Sequence, residues 1–416
     1  MKSIRLLHVT DFHFGAEPSK YRNSTDPKDK TLPPNLVSKL NTKWTYEFFE
    51  CVINWQRINN HTKFDSIVST GDLGEKALSK NTEVGIEFLV TLCSNLHLTP
   101  DNLILCPGNH DLQRTKKNTE FDNYEKLLKS NGIRNYSCYD KIFKTEIKEI
   151  PIISINSCLG GTSKSEYSNK YKKIINKIPA KDRKGIVKEF EKLGQQYLND
   201  FLDIPAIGKD QLRDMLEFIG NHESDSAIIL MHHNPVPTNS IEIRPYSNLV
   251  DSGKILTSLL STSKKSFILH GHTHFDYDIL SYFPNGNGNY VSSIGCGALN
   301  DSPHSRANIY EFYYTKSNKH IITKVHRVTR SGGAGFTTNH SHSIFEKGFE
   351  KDEAKIWSSI INLKKSIVFK DLLKNLNEVD EDSLLMFILK QESIYLYINK
   401  NENDNFLEWI ISKKNF

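Results

Sequence analysis

Five times along this chain an apolar run ends in a short polar block carrying Asp, Asn or His. The blocks are "HVTDFH" from His8, "VSTGDL" from Val68, "CPGNHD" from Cys106, "ILMHHN" from Ile229 and "ILHGHTH" from Ile268. Short apolar runs bounded by turn signals read as buried strands. In α/β sheets the loops past the carboxyl ends of strands converge while the sheet stays rigid, and ligands bind there. A single Pro-Gly-Asn turn is ordinary turn chemistry. Five such endings predict one polar cluster assembled from distant segments.

Between the runs lie helix-like segments. Trp44–Ile58, Val84–Leu96 and Gln211–Ile219 carry apolar residues at helical spacing, while Ile4–Thr10, Phe64–Thr70, Leu103–Cys106, Pro151–Ser157, Ala227–Met231 and Phe267–Leu269 read as strands. The alternation predicts a layered α/β core. Further on, "NYVSSIGCGAL" and "ANIYEFYY" look like antiparallel strands. The turn-like Arg330–Gly335 places the end of the core at 335. Residues 345–416 then form a small, mainly helical module without a chemical motif, suited to a protein partner or self-association, with a strand-like "SIYLYINK" and an apolar close, "FLEWIISKKNF". A length of 416 residues accommodates both parts.

The net charge is +5, which suits an anionic substrate but is no nucleic-acid signature by itself. A basic insertion spans 161–205, with its Lys and Arg over Lys164–Lys192. Such runs are usually solvated helix faces; the sharper reading is an arm that meets a phosphate backbone. Six scattered cysteines form no CxxC pair, so neither a zinc ribbon nor a disulfide framework is expected. No apolar stretch approaches the roughly 18 residues of a membrane span, and the N-terminus is no signal peptide. A cytoplasmic location is the default expectation.

The cluster residues are hard and borderline donors. Asp11, His13, Asp72, Asn109, His232, His272 and His274 exceed the needs of one tetrahedral ion, whereas two ions sharing a carboxylate would use them all. The ordered set DxH, GD, GNHD, H and GHxH resembles the signature of the calcineurin-like metallophosphoesterases, and the resemblance covers roughly Lys2 to Arg330. It implies a four-layer αββα sandwich with a dinuclear site at the loops of its two sheets. It also implies two divalent ions, Mn²⁺ foremost, with iron or Zn²⁺ as other choices. Carried over, Asp11, His13 and His274 serve one ion, Asn109, His232 and His272 the other, and Asp72 bridges. The choice between His232 and His233 stays open. His232 is favoured because it comes directly off the strand, which leaves His233 behind the ligands or facing substrate.

Two ions can hold a shared hydroxide as nucleophile and clamp a phosphoryl group. His110 is the candidate proton donor to the leaving group, with Asp111 either orienting its imidazole or stabilising the turn. Arg114 is close enough in sequence to reach a phosphate. The expected activity is hydrolysis of a phosphodiester, a cyclic nucleotide or another nucleotide ester. The alternative is a nuclease similar to the SbcD-type exonucleases, acting on nucleic acid through the basic insertion; monoester or phosphoprotein hydrolysis ranks third.

Overall fold

The structure, a computed structural model, describes residues 2–14, 42–59, 63–74, 79–114, 119–159, 204–235, 248–273, 280–284, 289–299, 306–330, 335–345, 353–361, 363, 365–392, 396–400 and 405–413. Most of the expected basic insertion, 161–203, and the ligand candidate His274 lie outside these residues.

Two six-stranded sheets form the centre. In the first, β1 (Lys2–Val9), β2 (Ser66–Ser69) and β3 (Leu103–Leu105) run parallel, and β12 (Arg306–Tyr314), β13 (His320–Arg330) and β14 (Phe336–Phe345) extend the sheet antiparallel beyond β1. In the second, β7 (Ile150–Ser154), β8 (Ser226–Leu230), β9 (Lys265–His270) and β11 (Tyr290–Gly295) are parallel. The edge strands Leu280–Pro284 and Phe143–Ile147 close this sheet antiparallel. The expectation of an antiparallel "NYVSSIG" is therefore half right: it lies antiparallel to its edge neighbour and parallel to β9.

The strands are apolar on both faces because each sheet is covered on both sides. Side chains alternate across a strand. Leu6 accordingly joins Ile4, Val68 and Ile104 in packing against Ile152, Ile228, Leu230, Phe267 and Leu269 of the second sheet. Leu7 and Val9 point the other way, onto Phe48, Phe49, Val52 and Trp55 of the helix Thr42–Ile58 and Phe88, Leu89 and Leu92 of the helix Ser79–Asn95. The outer face of the second sheet (Ile153, Ile229, Ile268, Val291) receives Leu212, Met215 and Ile219 from Gly208–Asn221, and Ile255 and Leu259 from Ser252–Leu260. Helix, sheet, sheet and helix thus stack in four layers. Each fully buried Leu, Ile or Phe contributes about 1.5–3 kcal/mol of apolar burial.

The first sheet does not end at Arg330–Gly335. β14 follows and pairs with β13, placing Thr338 opposite Val328, with a shift of register between Val325 and His326. The strands before and after that segment are antiparallel neighbours, and a chain reversal between such neighbours continues a sheet rather than ending it. Beyond it, the helices Glu353–Ile361, Phe369–Asn375 and Glu381–Gln391 pack with a three-stranded sheet of Ile367–Val368, Ile410–Lys413 and Leu396–Asn399. Asp380 caps the last helix, accepting the Ser383 N–H at 2.8 Å. Their apolar cluster includes Tyr313, Ile321 and Ile322 of the first sheet together with Phe406, the fully buried Trp409 and Ile411, while Ile410 between the last two is exposed. Among the described residues, no helix is long and apolar enough to cross a membrane.

Candidate metal centre

The five blocks follow the carboxyl ends of β1, β2, β3, β8 and β9, which belong to both sheets. Backbone hydrogen bonds hold these loops in mutual register. Asp11 N–H donates to Gly71 O and His13 N–H to Asp72 O, each at 3.0 Å, and Gly271 N–H donates to His232 O at 3.1 Å. The cross-link between the sheets is made by polar groups of the blocks themselves. His272 N–H donates to Asp11 Oδ2 at 3.0 Å, and Nδ1 of His232 meets the Thr70 carbonyl at 2.6 Å.

Reaching these positions requires unusual backbone. Asp11, His13, Asp72 and His272 all have positive φ, between 44° and 73°. Non-glycine residues seldom adopt this region, and where they do the surrounding structure must enforce it. The glycines of the blocks answer a second constraint. A Cβ on Gly108 would fall 2.1 Å from Asp72 Oδ1, and one on Gly271 would fall 2.4 Å from Asp11 Oδ2. Only a residue without a side chain lets these carboxylates approach the neighbouring loop.

At the centre lies Asp72. Its Oδ1 accepts the His110 N–H at 2.7 Å, while Oδ2 lies 3.5 Å from His13 Nε2 and 3.3 Å from His232 Nε2. Around His232 Nε2 also gather Asn109 Oδ1 at 3.0 Å and His272 Nδ1 at 3.2 Å. His13 Nε2 lies 3.8 Å from Asp11 Oδ1. Among the described residues, three groups of side chains bring ligand atoms within 4.8 Å of one another: His13 with Asp72 and His110, Asp11 with Asp72 and His232, and His232 with His233 and His272. Asp72 belongs to two of them. Asp11 falls here with His232, and its Oδ1 is also within 3.8 Å of His13 Nε2. His110, expected outside the ligand set, stands edge-on to His13 with ring centroids 4.7 Å apart.

Electrostatics agree with a site that calls for cations. Burial would raise Asp72, yet His232, His110 and His13 hold it well below the usual carboxylate range. Burial would lower His232, yet Asp72 and Asp11 hold it up at about 9. A carbonyl accepts only, so His232 Nδ1 carries hydrogen. The further proton that Asp72 and Asp11 favour then sits on Nε2, facing Asp72, Asn109 and His272, and it is this proton that a cation would displace to reach the lone pair. Acceptor atoms facing one another at about 3 Å need a proton or a metal ion between them. The residues present therefore fit divalent metal.

Among the described residues, the hydrogen bonds of Asp111 are to backbone. Its carboxylate accepts three backbone N–H groups, from Asp72 at 2.8 Å, Gly108 at 2.9 Å and Leu73 at 3.0 Å, and so ties the GD loop to the GNHD loop. Burial and the nearby Asp72 push it up to about 7. Arg114 lies in a two-residue strand, Gln113–Arg114, paired with Thr119–Glu120; its side chain lies outside the described part. Two residues escaped the reading of the sequence. Thr70 supplies the carbonyl behind His232, and Ser157 holds His233, with its Oγ 2.9 Å from Nδ1. Ser157 also stands just past a strand end, but a serine carries no ligand signature.

Convergence of the blocks decides the family, and the match to the calcineurin-like phosphoesterase family spans residues 4–276, more than half of the chain. The chain belongs to the calcineurin-like phosphoesterases. Divalent metal is implied for such a phosphoesterase, and its His and Asp clusters are those able to hold it. No curated protein matches the sequence. Among solved structures, purple acid phosphatase PPD1 from yellow lupin (Lupinus luteus) seeds is similar at 10% identity, over 83% of this chain and 54% of that one, with a TM-score of 0.43. PhoD is similar at 8% identity over 82% of this chain and 69% of its own, with a TM-score of 0.46. The sulfate thiohydrolase SoxB of Thermus thermophilus, in complex with glycerol, is similar at 10% identity over 77% and 56%, with a TM-score of 0.37. This phosphoesterase spans about half the length of the lupin enzyme.

Proposed function

We propose that this phosphoesterase hydrolyses a phosphodiester, using two divalent ions, Mn²⁺ foremost, held by Asp11, His13, Asp72, Asn109, His232, His272 and His274 with Asp72 shared. The observation that carries the reading is the position of Asp72 Oδ2 between His13 and His232, at 3.5 and 3.3 Å. Such ions, when bound, supply positive charge to phosphoryl oxygens and lower the pKa of water into the neutral range. A diester monoanion needs a strong nucleophile and charge stabilisation more than substrate dianion recognition, which suits this cage of imidazoles and carboxylates.

The chain's own residues supply the rest. His110 stands beside His13 at the rim, only partly buried, where it can give a proton to the leaving oxygen. Asp111 keeps the two loops that carry Asp72 and Asn109 together. A panel of bis(p-nitrophenyl) phosphate, p-nitrophenyl phosphate, cyclic nucleotides and single- and double-stranded DNA, run with Mn²⁺ and with chelator, tests this reading. Chelator-sensitive turnover of the small diester or the cyclic nucleotides, above that of the monoester, is the expected result. Turnover confined to the monoester would remove the diester assignment, and cleavage confined to DNA would favour the nuclease.

A further inference from the structure

Two adjacent histidines follow β8, and their hydrogen bonds give them opposite tautomers. His232 carries hydrogen on Nδ1, toward the Thr70 carbonyl, so in the neutral ring Nε2 is the atom with a lone pair for a cation. His233 is held differently. Its Nδ1 lies 2.9 Å from Ser157 Oγ, and the same oxygen accepts the backbone N–H of His233 at 3.0 Å. Ser157 is fully buried, and its hydroxyl hydrogen has no other acceptor among the described residues. A buried hydroxyl hydrogen left without an acceptor is unfavourable. The hydroxyl therefore donates to Nδ1, Nδ1 accepts, and the neutral ring carries its hydrogen on Nε2. That Nε2 is buried without a hydrogen-bond partner among the described residues, although the ring centroid lies only 4.4 Å from that of His272 and 4.8 Å from that of His232.

We propose that His233 is not a metal ligand but a hydrogen-bond donor, through Nε2–H, to a non-bridging oxygen of the bound phosphoryl group, with Ser157 fixing the tautomer. The inference rests on the phosphoesterase reading above and adds a substrate contact to it. It divides the labour within "MHHNP": the first histidine presents a lone pair to metal, the second a hydrogen to substrate. A neutral donor at this place strengthens its bond as charge builds on the phosphoryl oxygens in the transition state.

Three measurements on the full chain test it. In metal-free protein labelled with ¹⁵N-histidine, His233, identified by the loss of its signals in His233→Leu, should show the Nε2–H tautomer. The Ser157→Ala variant should lose that preference. Calorimetry should find as many Mn²⁺ equivalents in His233→Leu as in wild type, with orthovanadate binding to the Mn²⁺-loaded protein weakened tenfold or more. His233→Gln, whose amide N–H replaces Nε2–H, should recover most of that affinity even if the leucine variant folds poorly. An Nδ1–H signal, a loss of Mn²⁺ equivalents in both variants, or unchanged vanadate affinity in His233→Leu would each overturn the proposal. Absence of Mn²⁺ binding in the wild type would instead overturn the proposed function, and the tautomer would still decide the Ser157–His233 relationship.

Discussion

Oδ2 of Asp72 lies 3.3 Å from Nε2 of His232, a carboxylate from the first sheet against an imidazole from the second. Asp72→Asn should therefore weaken both ion positions together. An amide keeps one oxygen but carries no charge, and the expected loss is at least about tenfold in Mn²⁺ affinity at each position. Calorimetric titration of metal-free protein reads it. A loss confined to one equivalent would show that the carboxylate is not shared.

His110→Ala should keep the metal stoichiometry and lower turnover about 10²–10⁴-fold on alkyl esters, with a much smaller effect on nitrophenyl esters. An activated leaving group departs without a proton, so the ratio of the two rates isolates proton donation. Equal losses on both substrates, with reduced Mn²⁺ content, would place His110 among the ligands, as its proximity to His13 and Asp72 allows.

Asp111→Ala leaves three buried N–H groups, those of Asp72, Leu73 and Gly108, without their acceptor. Each such loss costs about 1–3 kcal/mol, which predicts a destabilisation of roughly 3 kcal/mol or more in metal-free protein. Denaturant unfolding in chelator measures it. A change under about 1 kcal/mol would mean that the loops are held elsewhere.

Gly271→Ala places a methyl group 2.2 Å from Thr10 Oγ1 and 2.4 Å from Asp11 Oδ2. One loop must move, and with it the sheet-to-sheet bond from His272 N–H to Asp11. The expected outcome is a large loss of Mn²⁺ affinity with a retained far-UV spectrum. Wild-type affinity in this variant would contradict the close approach.

Away from the site, Glu311 is buried among Lys400 at 3.9 Å, His326 at 2.9 Å and Arg5 at 3.4 Å. Burial would raise its carboxyl, but these partners hold it well below the usual range. A depressed folded-state pKa contributes stability that is fully present above the unfolded value near about 4.3 and is lost as pH falls through the folded value. Acid unfolding of wild type should therefore steepen below about pH 4, and Glu311→Gln should flatten that dependence. Parallel curves for the two proteins would deny the network this role.

Much of this molecule was legible in the order of its residues. Leu6 and Leu7, adjacent and both apolar, already required a strand covered on both faces, because alternate side chains leave opposite sides of a sheet. Asp and His placed just past such strands marked the site, and the glycines of GD, GNHD and GHTH marked where backbone must come close. Local pattern carried this information because each signal spans only a few residues.

Other features depend on contacts between residues as much as 162 positions apart. Asp111 could orient an imidazole or brace a turn, and only the packing of the Asp72 loop against it selected the brace. β14 joined the sheet because β13 offered it a free edge, which no turn signal can announce. Ser157 and Thr70 acquired roles at His233 and His232 only once two sheets had met, since a hydroxyl or a carbonyl has no meaning for a histidine tautomer until it lies within hydrogen-bond distance. The chain specified which ligand types would stand at its strand ends; the face-to-face stacking of the sheets decided which of their atoms point at one another.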